Sequence, residues 1–83
     1  MTTRNDLLQC LKKNILEILP GVEPDKISGA GRLVDLGANS IDRAEIAIRT
    51  MEDLSVKIPL IEFAQVQNIA GLLDLFAKYT EAT

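Results

Sequence analysis

Three stretches of the chain place apolar residues three and four positions apart, which is the spacing that lines one face of an α-helix. They cover residues 4–19, 40–54 and 69–80. The one run that resembles a β-strand is the short segment 56–58, and Pro59 interrupts it. Because helical spacing covers most of the chain and strand spacing almost none of it, we predict an all-α fold.

The arrangement of these helices follows from the lengths between them. A chain of 83 residues corresponds to one domain, which we take to span residues 1–83. Residues 61–66 allow one short helix between the second and the last. A long loop, residues 20–39, joins the first two helices, as a crossover connection in a bundle requires. We therefore predict a small four-helix bundle with three main helices and a short third helix.

Each predicted helix has one face that we expect to be buried. These faces comprise Leu7, Leu8, Leu11, Ile15, Ile18 and Leu19; Ile41, Ala44, Ala47, Ile48, Met51 and Leu54; Phe63 and Val66; and Ile69, Leu72, Leu73, Phe76 and Tyr79. Apolar side chains are also expected to hold the long loop against the core, namely Val22, Ile27, Leu33, Val34 and Leu36. Cys10 borders the first stripe, and we expect it to behave as a small buried hydrophobic residue.

Polar residues mark the helix starts. Thr3 and Asp6 have the spacing of a capping box, in which side chain and backbone satisfy each other at the N-terminus. Asn39 and Ser40 are both favourable N-caps for the second helix, and the sequence leaves the choice between them open. Asn68 is the expected cap of the last helix.

The composition argues against several classes of function. The chain has no histidine, the commonest general base and zinc ligand, so we predict neither catalytic residues nor a metal site. Its single cysteine allows no internal disulfide, and no apolar run approaches the length of a membrane span. Residues 35–83 contain eight acidic and four basic groups, which disfavours nucleic acid as a partner. We expect a monomeric cytoplasmic protein.

Ser40 stands where the polar loop meets the second helix, in the run DLGANSID at residues 35–42. Alone, a serine at a helix start is most simply explained as a cap. The whole run, however, resembles the attachment motif of acyl carrier proteins, and the order of helices and loops resembles that family over nearly the whole chain. The resemblance implies that Ser40 bears 4′-phosphopantetheine, which a phosphopantetheinyl transferase takes from coenzyme A. The protein would then be a non-catalytic carrier of thioester-bound acyl groups.

Two residues depart from the commonest form of this motif, which has aspartate before the serine and leucine after it. Here these positions hold Asn39 and Ile41. With them, the run GANSIDRAEI at residues 37–46 is similar to the donor carrier proteins of polyketide β-branching. That similarity implies a short acyl group, acetyl in the first place, obtained by acetyl loading or by malonyl loading and decarboxylation.

The same similarity implies a set of partners. The acetyl group would go to a 3-hydroxy-3-methylglutaryl (HMG) synthase-like enzyme, after an acyltransferase and a decarboxylating ketosynthase have prepared it. The residues expected to recognise partners are Asp35, Asn39, Ile41, Asp42, Arg43, Glu45 and Arg49. Arg43 lies one helical turn after Ser40 and suits a partner contact or a contact to the phosphate, while a solvated charge paired with a nearby acid remains the simpler alternative.

Two other functions remain open at this stage. One is a general fatty-acid or polyketide carrier, for which Met51, Phe63 and Phe76 would line a cavity for the acyl chain. The other is a helical protein-interaction domain without a prosthetic group.

Overall fold

The helices occupy the positions that the apolar spacing predicts. A computed structural model of the protein describes residues 3–27, 29, 31–66 and 68–80. In chain order it contains helices α1 (Arg4–Ile18), α2 (Ser40–Leu54), α3 (Leu60–Phe63) and α4 (Ile69–Thr80). Two 3₁₀ turns, Pro24–Lys26 and Leu33–Leu36, lie in the long loop, and the described residues include no strand. The predicted all-α bundle with a short third helix is confirmed.

Helix α1 begins at the predicted capping box. The Thr3 hydroxyl accepts from the Asp6 N–H at 3.1 Å, and the Asp6 carboxylate accepts from the Thr3 N–H at 3.1 Å. The helix ends at Ile18, one residue before the predicted limit, where the Leu19 N–H still donates to the Ile15 carbonyl at 2.7 Å. Its fixed start places the apolar stripe of α1 against α2 and α4.

The core consists of aliphatic side chains from α1, α2, α4, the long loop and the segment before α3, together with one aromatic residue. The buried hydrophobic residues are Leu7, Leu11, Ile15, Ile27, Leu33, Ala38, Ile46, Ala47, Ile58, Ile69, Leu72, Leu73, Leu75 and Phe76. Each large aliphatic residue buried in this way contributes roughly 1.5–3 kcal/mol to folding. Phe63 packs against Phe76 with ring centroids 5.5 Å apart, which joins α3 to α4.

The buried face of α2 differs from the predicted one. Ile41 is 76% exposed and Ile48 is 41% exposed, although both were assigned to the inward face. The helix instead buries Ile46, Ala47 and Thr50. A buried threonine is tolerated here because its hydroxyl donates to the Ile46 carbonyl at 2.8 Å. The buried face of α2 therefore includes a polar residue. Because the prediction considered apolar residues only, it placed the centre of the buried face at the wrong position around the helix.

A polar cluster crosses the interface between α1 and α2. The Asn14 amide is 2% exposed and donates to the Thr50 hydroxyl and to the Asp53 carboxylate, each at 3.0 Å. Lys13 forms an ion pair with the same Asp53 oxygen at 3.0 Å. Cys10 is half-buried and donates to Asp53 at 3.6 Å. The expectation that Cys10 is a simple buried hydrophobe was wrong, because its thiol belongs to this cluster.

The long loop is held by fewer apolar residues than predicted. Ile27 and Leu33 are buried, and Val22 and Leu36 pack against the core. Val34, by contrast, is 47% exposed, because it lies on the outer side of the second 3₁₀ turn. The loop also caps α4, whose first N–H groups donate to the Gly31 carbonyl at 2.9 Å and the Gly29 carbonyl at 3.0 Å.

Helix α3 is one turn long and shorter than the predicted segment 61–66. Phe63 and Val66 pack against the core as expected, while Leu60 and Ile61 are exposed. A hydrogen bond from the Tyr79 hydroxyl to the Glu62 carboxylate also ties α3 to α4.

Helix α4 begins at its predicted cap, since the Asn68 side chain accepts from the Gly71 N–H at 2.7 Å. Four of its expected inward residues are buried and the fifth, Tyr79, is half-buried, but Leu75 is buried as well. Gly71 is required by a close approach, because a Cβ there would lie 2.8 Å from a methyl group of Val66.

Candidate functional site

Ser40 is exposed at the first residue of α2, and its hydroxyl has no capping role. The cap is Asn39, whose side-chain oxygen accepts from the Asp42 N–H at 2.8 Å. In return, the Asp42 carboxylate accepts from the Asn39 N–H at 3.2 Å. The alternative that Ser40 is an ordinary N-cap is thereby removed, and its hydroxyl is left available for chemistry.

The chain leading into Ser40 is held by its own backbone. Gly37 ends the second 3₁₀ turn with a φ of 96°, in the left-handed region that favours glycine. Its N–H donates to the Val34 carbonyl and the Ala38 N–H to the Leu33 carbonyl, both at 3.1 Å. Ala38 is buried, so the two residues before Ser40 are anchored on one side by packing and on the other by the cap. Ser40 is therefore presented from a fixed position.

Arg43 lies beside Ser40, as its position one turn along the helix predicts. Its guanidinium donates to the Ser40 hydroxyl oxygen at 3.4 Å. The alternative was a pairing with a nearby acid, but Asp42 serves the capping box and Glu45 accepts from Arg49 at 3.2 Å. Within the part of the chain that the structure describes, Arg43 makes no ion pair.

The other predicted recognition residues lie around this centre without forming one cluster. Arg49 bridges α1 and α2, because it pairs with Glu17 as well as Glu45, each at 3.2 Å. Asp35 lies in the loop and pairs with Arg32 at 3.6 Å. Ile41 projects into solvent next to Ser40. The structure thus groups residues 39–43 tightly at the helix start and leaves Asp35, Glu45 and Arg49 around it.

A cavity of about 530 Å³ lies among the four helices and the long loop, with Ser40 and Arg43 on its wall. Its remaining lining residues are Leu11, Arg32, Leu33, Val34, Ala44, Ile46, Ala47, Leu60, Phe63, Ala64, Val66, Asn68, Leu72 and Phe76. Phe63 and Phe76 contribute as the sequence suggested, whereas Met51 lines a separate, shallower depression. The other lining residues come from the long loop and all four helices, so the spacing of residues along one helix could not have identified them.

The sequence analysis did not predict which large apolar side chains are exposed. Ile41, Ile48, Leu60 and Ile61 are all large and exposed, and Ile61 reaches 73%. Ile41 and Ile48 are on α2, and Leu60 and Ile61 are on α3. Surface residues of this kind commonly mark contacts with other proteins. For Ile41 and Ile48, the sequence gives one indication: α2 contains more apolar residues than one buried face can hold.

The residues at Ser40 suit a phosphodiester linked to that oxygen. The N–H groups of Ser40 and Ile41 lie in the first turn of α2, where no helical carbonyl can accept them, and the described hydrogen bonds give them no other partner. An anion is favoured at such a position. Arg43 adds a cation whose planar donors match phosphate oxygens. The exposed hydroxyl leaves room for the group.

The described residues offer no further site of another kind. These residues include no group of three or more side chains arranged to hold a metal ion. None of the described helices is both long enough and apolar enough to cross a membrane.

Comparison with known proteins finds similarity to acyl carrier proteins. The family described as "Phosphopantetheine attachment site" matches residues 11–76. The chain is 44% identical over 69 residues to the polyketide biosynthesis acyl-carrier-protein AcpK of Bacillus subtilis strain 168, covering 83% of this chain and 84% of that one. It is 43% identical over 56 residues to an acyl carrier protein of Zymomonas mobilis, covering 66% of this chain and 70% of that one.

The fold also resembles a solved structure. A chain in the crystal structure of the curacin biosynthetic pathway HMG synthase in complex with acetyl donor-ACP superposes with a TM-score of 0.83 at 42% identity. The match covers 93% of this chain and 99% of that one.

Proposed function

Because the chain belongs to the acyl carrier protein family with a phosphopantetheine attachment site, we propose that it acts as an acetyl donor in polyketide β-branching. In this proposal Ser40 carries 4′-phosphopantetheine, and an HMG-synthase-like enzyme receives the acetyl group. The observation that carries the donor role is the match to the curacin HMG synthase–donor complex, which extends over 93% of the chain. The exposed Ser40 hydroxyl, which is fixed in position and takes no part in the cap, supports the attachment point.

Attachment at Ser40 requires chemistry from outside the chain. The serine oxygen forms a bond to the phosphorus of coenzyme A that bears the pantetheine, and 3′-phosphoadenosine 5′-phosphate leaves. The hydroxyl proton must go to a base, and this chain has no histidine to take it. A phosphopantetheinyl transferase therefore supplies the base. Once attached, the group supplies a thiol that holds the acyl chain as a thioester.

The protein itself is a non-catalytic carrier in this scheme. An acyltransferase loads malonyl, and a decarboxylating ketosynthase converts it to acetyl, or acetyl is loaded directly. The residues of the chain present the thioester and distinguish its partners. We place this activity in the cytoplasm, because coenzyme A is available there and a free thiol such as that of Cys10 stays reduced. We assign the activity to one monomeric carrier domain.

We assign partner docking to the residues around Ser40, called here the docking face: Asp35, Asn39, Ile41, Asp42, Arg43, Glu45 and Arg49. Ile41 supplies the apolar centre, because it is 76% exposed and adjacent to the attachment residue. Asp35 and Glu45 supply negative charge for a basic partner surface. Asn39 and Asp42 are committed to the capping box, so their part in docking is to hold the helix start in place.

Selective transfer tests the donor role. The carrier is loaded with acetyl and offered separately to an HMG-synthase-like enzyme and to a chain-elongating ketosynthase, and the acetyl transferred to each enzyme is measured by intact mass. We expect rapid transfer to the synthase and little to the ketosynthase. Transfer to the ketosynthase alone would refute the donor role while leaving the carrier function intact.

A general fatty-acid or polyketide carrier is the second candidate, and the cavity favours it. A volume of about 530 Å³ exceeds what an acetyl group occupies. Loading with a series of longer acyl groups separates the two, because a carrier that shelters its cargo should gain thermal stability as the chain lengthens. A helical interaction domain without a prosthetic group is not supported by the family match.

A further inference from the structure

The four arginines of the chain do not share one environment. Arg4 pairs with Asp74 at 2.7 Å, Arg32 with Asp35 at 3.6 Å, and Arg49 with two glutamates at 3.2 Å. Arg43 differs from them because its guanidinium contacts the Ser40 hydroxyl and makes no ion pair with any residue that the structure describes. Its charge is therefore uncompensated at the point where the proposed prosthetic group begins.

The reason lies in how the neighbouring acids are used. Asp42 is the adjacent acid, but neighbouring side chains on a helix point apart, and its carboxylate accepts from the Asn39 N–H in the capping box. Glu45 is two residues beyond Arg43 and accepts from Arg49, which is four residues further along and better placed on the helix face. The local network satisfies the acids without Arg43. It leaves a planar cation, exposed and in contact with the serine oxygen.

We infer that Arg43 is a positioning residue for the prosthetic group, whose phosphodiester it pairs with once Ser40 is modified. This inference rests on the proposed attachment at Ser40. Guanidinium and phosphate form short, charge-assisted and often paired hydrogen bonds, stronger than the contact to a neutral hydroxyl. Arg43 also lies on the wall of the cavity. The pair would therefore hold the first atoms of the arm against α2 and beside the cavity mouth.

The test compares phosphorus and arginine NMR signals with no partner enzyme present, so that docking contacts cannot contribute. Wild type, Arg43→Gln, Arg43→Lys and Arg32→Gln are each converted by a broad-range phosphopantetheinyl transferase, and conversion is checked by intact mass. Arg32→Gln is the matched control, because Arg32 lines the same cavity but pairs with Asp35. The ³¹P resonance of the holo protein and the Arg43 Nε–Hε resonance before and after modification are then recorded.

We expect the Arg43 Nε–Hε signal to shift on modification of the wild type. The ³¹P signal of Arg43→Gln should move towards that of a short phosphopantetheinylated peptide, while Arg32→Gln should keep the wild-type position. Arg43→Lys keeps the charge without the paired donors, so its signal should lie between the two. A ³¹P signal that is unchanged in Arg43→Gln, or equally shifted in Arg32→Gln, would overturn the inference.

The design separates this inference from the proposed function. If the mass shows no added phosphopantetheine on the wild type, the attachment proposal and the inference both fail. If every variant is modified but Arg43→Gln behaves as wild type, the inference alone fails and the attachment proposal stands.

Discussion

Replacement of Asn14 by alanine should be among the most destabilising single changes at the α1–α2 interface. Asn14 is 2% exposed and Thr50 is fully buried, and the amide nitrogen of Asn14 donates to both Thr50 and Asp53. A neutral hydrogen bond contributes about 1 kcal/mol to stability and a bond to a charged group about 1.5–3 kcal/mol. Because Asp53 is partly exposed and water can replace its lost donor, the lower figure applies to the second bond.

These terms give a loss of about 2–3 kcal/mol for Asn14→Ala, before any cost of the small void left by the amide. A domain of this size has a total stability of roughly 4–12 kcal/mol, so the loss is a large fraction of it. The melting temperature should fall by roughly 10–20 °C, since each kcal/mol corresponds to about 4–8 °C in such a domain.

Urea unfolding followed by circular dichroism measures this loss directly. Asn5→Ala is the matched control, because Asn5 is exposed on the same helix and its loss should change stability by no more than about 0.5 kcal/mol. Asn14→Leu should cost less than Asn14→Ala, because it fills the space and Thr50 keeps its bond to Ile46. If Asn14→Ala and Asn5→Ala unfold at the same urea concentration, the cluster does not stabilise the interface as argued.

Three further predictions concern single side chains. Tyr79 is the only tyrosine in a chain without tryptophan, so its ultraviolet titration is unobscured. The hydrogen bond to Glu62 raises the pKa of Tyr79, so the stabilisation from that bond is complete below the ordinary tyrosine pKa and is lost as the pH rises through the raised value. Glu62→Gln should lower the titration midpoint, and an unchanged midpoint would contradict the bond. Burial and the Asp53 carboxylate raise the pKa of the Cys10 thiol, so iodoacetamide should modify it slowly near neutral pH and faster in Asp53→Asn; equal rates would show that Asp53 does not act on the thiol. Ile41→Glu should slow acetyl transfer to the HMG-synthase-like enzyme at least tenfold, about 1.4 kcal/mol, without lowering the melting temperature, and unchanged transfer would remove Ile41 from the docking face.

The sequence predicts the positions of the helices better than it predicts the burial and hydrogen bonding of side chains. Helix positions, the Thr3–Asp6 capping box and the cap at Asn68 all follow from local rules, and the structure confirms them. The choice of cap for α2 did not follow, because asparagine and serine are nearly equivalent there. Only the bonds between Asn39 and Asp42 show that the Ser40 hydroxyl takes no part in the cap.

The errors in burial share one physical origin. Ile41 and Ile48 are exposed although they are apolar, and Asn14 and Thr50 are buried although they are polar. A polar side chain can be buried only where another helix supplies its hydrogen-bond partners. An apolar side chain stays exposed where no other part of the chain packs over it. Neither is encoded in the spacing of residues along one helix.

The cavity is a property of the tertiary fold for the same reason. Its walls come from the long loop and all four helices, and α3 is held against α4 through Phe63 and Glu62. The contact between Arg43 and Ser40, by contrast, is a local relation within one turn and was predictable as a proximity. The sequence could not show that other donors occupy the neighbouring carboxylates, so that Arg43 is left without an acidic partner.

The central claim, that Ser40 is the single acceptor of phosphopantetheine, is tested most directly by intact mass after incubation with coenzyme A and a broad-range phosphopantetheinyl transferase. Wild type and the control Ser55→Ala, which removes an exposed serine at the other end of α2, should each gain one phosphopantetheine. Ser40→Ala should gain none while keeping the circular dichroism spectrum of the wild type. A phosphopantetheine on Ser40→Ala, or none on the wild type, would contradict the account.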